Sequence, residues 1–241
     1  FVLPGLAVGI TGSSVWLAFL VAALCILPAV LSKSELGTAM PKSGGTYVYI
    51  ERAFGPLFGT IAGIGLWLSL LLKSAFSLVG LSAYLYVVVN IDEAYTKAIA
   101  LLALLLIFLL NVFGLKKVEK TQLFIVSTSI ISLIVIIALG LTSFDTKLTE
   151  PVFSDGTNGF IAGVAFLYIS YAGVTKIAAI AGEITNPSKN LPLTMIISLF
   201  LITTIYCLVA LALVGNVEAS ILATDIKPIH TLFQTIGGNT F

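Results

Sequence analysis

The stretch from Phe166 to Glu183, FLYISYAGVTKIAAIAGE, is apolar enough for a lipid bilayer, yet its middle carries groups that can do chemistry. Tyr168, Ser170, Tyr171 and Thr175 bring hydroxyls, and Lys176 brings a charge. Gly173, followed by β-branched Val174 and Thr175, makes the local sequence a weak helix former. Backbone groups in lipid must be hydrogen-bonded, so a break in a helix survives only where it is buried in protein or lines a wet cavity. At such a break the freed amides and the half-helix dipole can hold a carboxylate, while freed carbonyls can hold an ammonium group or a cation. An amino acid carries both groups. Packing offers a competing account, since glycine lets a neighbouring helix approach and Ser or Thr can bond back to its own helix.

The elements that position this stretch follow from composition. Hydrophobic residues make up 59% of the 241 and charged residues only 10%, against about a quarter charged in soluble domains. The chain therefore belongs in a membrane. The net charge of +1 says nothing about nucleic acid, and no basic patch is dense enough to suggest it, so no nucleic-acid partner is expected. Cys25 and Cys207 lie inside apolar runs and read as buried free thiols.

A helical span needs about 20 apolar residues. Runs of that order occur at Val15–Leu31, Phe58–Val89, Ala98–Phe113, Leu123–Phe144, Phe160–Ala181 and Leu191–Val214, and Phe1–Ile10 reads as the outer half of a further helix ended by TGSS. The run at 58–89 is long enough to require tilt or projection beyond the bilayer. No alternation of the kind a β-barrel needs is visible. The expected class is all-α and integral to the membrane, with about seven helices, the first truncated. The chain starts with Phe1, with no basic segment ahead of its apolar opening, and reads as an incomplete piece: one transmembrane domain over 1–241, from mid helix one to the external loop after helix seven.

Loop charge sets the orientation. Lys33, Lys42, Arg52, Lys116, Lys117, Lys120 and Lys189 fall in one alternate set of loops. The other set holds Lys97, Lys147 and Lys227 beside Asp92, Glu93, Asp145, Glu150, Asp155, Glu218 and Asp225. The positive-inside rule places the first set in the cytoplasm. The segment NVEASILATDIKPIHTLFQTIGG then lies outside, with the pattern of a short helical hairpin broken by Pro228 and Gly237-Gly238.

Three motifs carry a resemblance. SELGTAMPKSGGTYVYIERAFG (34–55), GEITNPSKNLP (182–192) and FVLPG (1–5) resemble, in order, the loop between helices two and three, the signature after helix six, and the sequence after the first-helix break of amino acid permeases. These belong to the amino acid–polyamine–organocation superfamily. The resemblance covers essentially the whole chain. It implies an inverted-repeat fold of five plus five helices like that of the sodium-coupled leucine transporter, with substrate between broken helices one and six. Aligned on Asn186-Pro187, it puts the substrate site at Ile169, Ser170, Tyr171, Ala172, Gly173, Val174 and Thr175. Carbonyls of Ile169, Ser170 and Ala172 would face the ammonium, and Val174 would stand where relatives place a gating aromatic. Ser129 stands near where some proton-coupled members carry a lysine in helix five.

Lys73 and Lys176 are the charges deep in expected spans, where each costs about 2.5–3.5 kcal/mol on insertion scales. They are candidates for a proton or cation role, against a plain pairing role. Glu35, Glu51, Arg52 and Glu183 are candidates for an inner gate of ion pairs, against ordinary solvated charges. Asn186-Pro187 and Asn190–Pro192 read as helix stop and restart signals. The single His230 has no metal-ligand companion, so neither metal, cofactor nor membrane-enzyme chemistry is expected. A channel would need a repeated pore segment or a ring of like charge. The resemblance thus implies a secondary transporter of amino acids, multi-pass in the cytoplasmic membrane, working by alternating access in a lipid bilayer. A co-transported proton or sodium ion, exchange, an amine or polyamine substrate, and a non-transporting sensor on the same fold all stay open.

Overall fold

The computed structural model describes residues 3–89, 95–112, 115–153, 156–225 and 227–237. Phe1, Asp92, Glu93, Phe113, Asp155 and Gly238, used in the charge and span assignments above, lie outside them, as do the side chains of Lys116 and Lys117. The described chain is helical throughout, with no strand. Its elements are α1 (Leu3–Thr11), a 3-10 turn (Gly12–Ser14), α2 (Val15–Ala39), α3 (Thr46–Phe54), α4 (Pro56–Val89), α5 (Thr96–Val112) and α6 (Leu115–Thr142). Then come α7 (Gly156–Tyr168), two 3-10 segments (Ile169–Tyr171 and Val174–Glu183), α8 (Pro187–Val214), α9 (Ala219–Leu222) and α10 (Pro228–Gly237).

Five stretches are long and apolar enough to cross a membrane: Leu3–Ala39, Pro56–Leu81, Lys120–Thr142, Gly156–Glu183 and Pro187–Val214. Lys97–Leu109 is a shorter apolar helix. Two boundaries differ from expectation for one reason. Helix α2 runs eight residues past Leu31 and α6 starts eight before Leu123. Hydropathy marks where lipid stops; helix formers such as Lys, Glu, Leu and Gln carry the helix on into water. Helix α4 is unbroken over 34 residues, about 51 Å at 1.5 Å per residue, which exceeds a hydrocarbon core of about 30 Å. Helix α3 was not expected at all: its nine residues carry Glu51 and Arg52, and hydropathy passes over such a short amphipathic element.

The core sits where α2, α7 and α8 meet. Ala18, Phe19, Ala22, Ile26 and Val30 of α2 pack with Leu167, Leu191, Met195, Ala210 and Leu213. Trp16 at the start of α2 meets Cys207 near the end of α8, and Gly37 near the end of α2 meets Leu191 at the start of α8, so the two helices run antiparallel. Gly140 of α6 lies so close to α8 that a Cβ there would stand 2.6 Å from the Ala212 Cβ. Asn216 pins the same crossing, donating to the carbonyls of Gly140 at 2.7 Å and Ala212 at 2.8 Å. By contrast α4 and α5 turn leucines and aromatics outward; Trp67 is 63% exposed and Phe108 61%. Apolar surface of that extent needs lipid or another helix against it. Cys25, expected buried, is exposed on this outer surface, because α2 presents its other face to the core; Cys207 is half-buried, and both thiols are free.

Among the described residues, loops of each set are tied to one another at opposite ends of the bundle. At one end the Ser13 hydroxyl donates to the Pro151 carbonyl at 2.6 Å, and the Asp145 amide to that of Gly215 at 2.8 Å. At the other, the Gly44 amide donates to the Ala179 carbonyl at 2.9 Å. The described part of the segment after Val214 holds two short helices, α9 and α10, with α9 against α1 and α10 against α6 and α8. Pro228 starts α10 instead of breaking it, as its fixed φ and missing N–H allow at a first helical position. Helix α9 sits on α1, with Ala223 against Gly9.

Candidate functional site

The α-helix that begins at Gly156 stops at Tyr168. From Ile169 the chain tightens to 3-10 geometry, turns through Ala172-Gly173, and continues as 3-10 to Glu183. The break falls on the residues expected, but it is overwound, not extended: Tyr168, Ala172 and Gly173 all keep right-handed helical dihedrals. A second irregularity follows at Ile180, where φ is −107° and ψ 19°. Tightening changes the hydrogen-bond accounting. The Ile169 carbonyl accepts from the Ala172 amide at 3.3 Å, and the Gly173 carbonyl from the Lys176 amide at 3.0 Å. The Thr175 hydroxyl donates to the Ala172 carbonyl at 3.1 Å. Each of these carbonyls has a second lone pair and remains able to accept once more.

The seven residues of the break divide by direction. Tyr171 is fully buried and faces α2, where its hydroxyl donates to the Phe19 carbonyl at 3.0 Å. Its ring stands 5.7 Å from that of Tyr206, which stands 5.3 Å from Phe19. Tyr171 therefore anchors the break to α2 and α8. Val174 and Thr175 are also buried, whereas Ile169 and Gly173 are exposed. Gly173 has open space before it, since a Cβ built there would meet nothing within 4 Å, and its φ of −63° suits any residue. Among the described residues none packs against this glycine, and its backbone conformation does not require one. Ser170 is set apart in another way: its hydroxyl is buried and has no hydrogen-bond partner, which is uncommon for a buried polar group.

Ser170 opens onto a cavity of about 500 Å³ between α1, α2, α6 and α8. Sequence reasoning missed the residues that shape it, among them Phe19, Ile130, Ile202 and Tyr206, because nothing in an apolar helix distinguishes a cavity wall from a core position. Ser129 lines a second cavity, of about 290 Å³, with Tyr84, Thr128, Ser132 and Ile229.

Lys176 is half-buried on the 3-10 segment and Lys73 is exposed on α4; neither makes an ion pair among the described residues. Glu35, Glu51, Arg52 and Glu183 are not brought together as ion pairs either. Glu51 instead faces Tyr47 one turn back, where its carboxylate raises the phenol's pKa. The inner end is held by backbone. The Pro41–Gly45 loop lies against Ala178–Gly182: besides the Gly44 bond, Gly45 adopts φ +53° with its Cβ position 3.0 Å from the Ala179 Cα, and the Tyr49 hydroxyl reaches the Ala178 carbonyl at 3.4 Å. Burial raises the Tyr49 pKa, which keeps that phenol a donor. Beyond Glu183, Asn186 takes a left-handed turn (φ 49°), Pro187 starts α8, and the Asn190 side chain donates to the Thr185 carbonyl at 2.6 Å. The N-P-x-x-N motif thus stops one helix and starts the next.

The family model for amino acid permeases matches residues 1–241, the entire chain. The chain belongs to the amino acid permease family. Among relatives of this permease, the serine/threonine exchanger SteT of Bacillus subtilis is 27% identical over 250 residues, covering 99% of the chain and 56% of the relative. The branched-chain amino acid permease BcaP of Lactococcus lactis is 29% identical over 261 residues, 98% of the chain and 56% of the relative. The cystine/glutamate transporter of Pongo abelii is 28% identical over 224 residues, 87% of the chain and 44% of the relative. The permease chain thus spans about half the length of these relatives. Family membership and the apolar helices together make it a multi-pass membrane protein.

Proposed function

We propose that this permease is a secondary active transporter that moves amino acids across the cytoplasmic membrane by alternating access, with substrate held at the break over Ile169–Thr175. One observation carries the reading: among the described residues nothing packs against Gly173, whose backbone conformation does not require glycine, and beside it the Ser170 hydroxyl is buried with no hydrogen-bond partner. The Ile169 and Ala172 carbonyls keep acceptor capacity for an ammonium group. Amides freed by a matching break in helix one would take the carboxylate. No bond is made or broken in the substrate, so the protein acts as a carrier and not as an enzyme. Lys176, half-buried on the 3-10 segment that follows the break, is the group assigned to respond to a proton or cation. The backbone contact between Pro41–Gly45 and Ala178–Gly182 takes the inner-gate role first assigned to ion pairs.

Exchange is a second reading, favoured by the relative named as a serine/threonine exchanger. Uptake of labelled amino acids by the full-length protein in liposomes tests both. Accumulation driven by an inward proton gradient and lost in Lys176→Ala supports a proton-coupled permease. Uptake indifferent to the gradient and stimulated by internal amino acid supports exchange. Binding of a broad amino acid panel without flux would replace transport by sensing.

A further inference from the structure

One side chain joins the contact that main chain otherwise makes at the inner end. Tyr49 of α3 is buried, 6% exposed, and its hydroxyl donates to the Ala178 carbonyl at 3.4 Å. Gly37 of α2 makes room for it. A Cβ at Gly37 would stand 3.2 Å from the Tyr49 hydroxyl oxygen and 3.8 Å from the Ala178 Cβ, and would run into Leu191 of α8. The phenol therefore sits where α2, α3, α8 and the 3-10 segment Val174–Glu183 come together. The next carbonyl along that segment, Ala179, accepts from the Gly44 amide at 2.9 Å. Directly after these two carbonyls the chain leaves helical dihedrals at Ile180. Beyond that kink Gly182 lies against Ser43, its Cβ position 3.0 Å from the Ser43 amide nitrogen. The segment is thus gripped on both sides of its irregular residue. Ala178 is one 3-10 turn from Thr175, the last residue of the break, so what holds Ala178 also holds the inner half of the broken helix.

We propose that Tyr49 is a positioning residue of the permease: its hydroxyl holds the segment after the break against α3 and so sets how often the inner end stands open. The inference rests on the reading of the chain as an alternating-access carrier and adds the side chain that biases the alternation. Tyr49 acts through the Ala178 carbonyl and not on substrate. Its bond is long for an O–H donor, whose usual reach is about 2.7–2.8 Å, and a weak bond suits a contact that is broken and remade in each cycle. With that bond broken, the Gly44 amide alone ties the two carbonyls to the inner loop, and the kink at Ile180 gives the segment a place to bend. Tyr49→Phe keeps the ring and its packing and removes the hydroxyl, so it shifts the balance toward the open inner end while the fold is kept.

The test is thiol labelling of Ser34→Cys in the full-length protein, with Cys25→Ser and Cys207→Ser, by a membrane-impermeant maleimide applied to inside-out vesicles. Ser34 is 3% exposed and lies on the buried stripe of α2 one turn before Gly37, so its thiol reacts only while the inner end is open. Tyr49→Phe is expected to raise the labelling rate about threefold, the shift in a two-state balance that a weak neutral hydrogen bond gives. Tyr171→Phe is the control, since it loses a buried phenol bond to the Phe19 carbonyl elsewhere in the core. It is expected to lower the Tm without raising the labelling rate. An equal rise in both variants would mean general loosening and overturns the inference. A rate unchanged or undetectable in Tyr49→Phe, in protein that takes up labelled amino acids in liposomes, also overturns it and leaves transport standing. Failure of a broad amino acid panel to cross in the protein with Tyr49 intact overturns the underlying reading, and this inference with it.

Discussion

Replacing Gly173 by alanine separates a binding glycine from a packing glycine. The added methyl group meets nothing within 4 Å, and the backbone at φ −63°, ψ −37° already suits alanine. The substitution removes conformational freedom from the unfolded chain and raises helical preference, together about 0.5–1 kcal/mol in favour of the folded state. For a chain of this size that is a rise of about 1–4 °C in Tm. Function is expected to move the other way. A methyl group placed in the open space at the break occupies the position proposed for substrate and favours a continuous helix, so uptake kcat/KM should fall about tenfold or more, some 1.4 kcal/mol of lost transition-state stabilisation. Thermal unfolding in detergent and liposome uptake are the paired assays. A lower Tm would mean that glycine is there for packing. A higher Tm with undiminished uptake would mean that the break is not where substrate sits.

Other outcomes follow from single contacts. Tyr171→Phe removes the buried hydroxyl that donates to the Phe19 carbonyl and is expected to cost about 1 kcal/mol, read as a lower Tm with the KM of a transported amino acid little changed. Asn216→Ala deletes one buried bond to α6 at Gly140 and one back to the last turn of α8 at Ala212 and should cost about 1–3 kcal/mol, with earlier amide exchange near Gly140. Gly45→Ala places a Cβ 3.0 Å from the Ala179 Cα at φ +53°; about 1–2 kcal/mol of left-handed strain should loosen the inner loop and speed thiol labelling of Ser43→Cys. Glu51→Gln removes the charge that opposes phenolate formation at Tyr47. The Tyr47 titration should therefore move down toward its ordinary value, visible in the ultraviolet absorbance of the phenolate.

What could be read from residues alone was set by the scale of each signal. The long apolar helices, the break at Ile169–Thr175 and the stop–start role of Asn186 and Asn190 are local, and one or two residues announce each. Helix α3 and the extensions of α2 and α6 were missed because hydropathy responds to lipid and not to helix. The inner contact could not be read as it is: charges at Glu35, Arg52 and Glu183 draw attention, but the contact is made by main chain at Gly44, Gly45 and Ala179, whose side chains say nothing. Tyr171 looked like a substrate ligand in sequence because its hydroxyl lies in the cluster; which way it points depends on α2, 152 positions away. The cavity at Ser170 is a property of four helices together and leaves no mark on any one of them.

The most direct test of a substrate site at the break is protection of Gly173→Cys from a thiol reagent, in a Cys25→Ser, Cys207→Ser background of the full-length protein. Gly173 is exposed and faces open space, so the introduced thiol should react readily. A saturating amino acid that the protein takes up is expected to slow that reaction about tenfold, the loss of access expected if bound substrate occupies the break most of the time. A labelling rate indifferent to that amino acid, in protein that still takes it up, would place the substrate elsewhere and contradict the account.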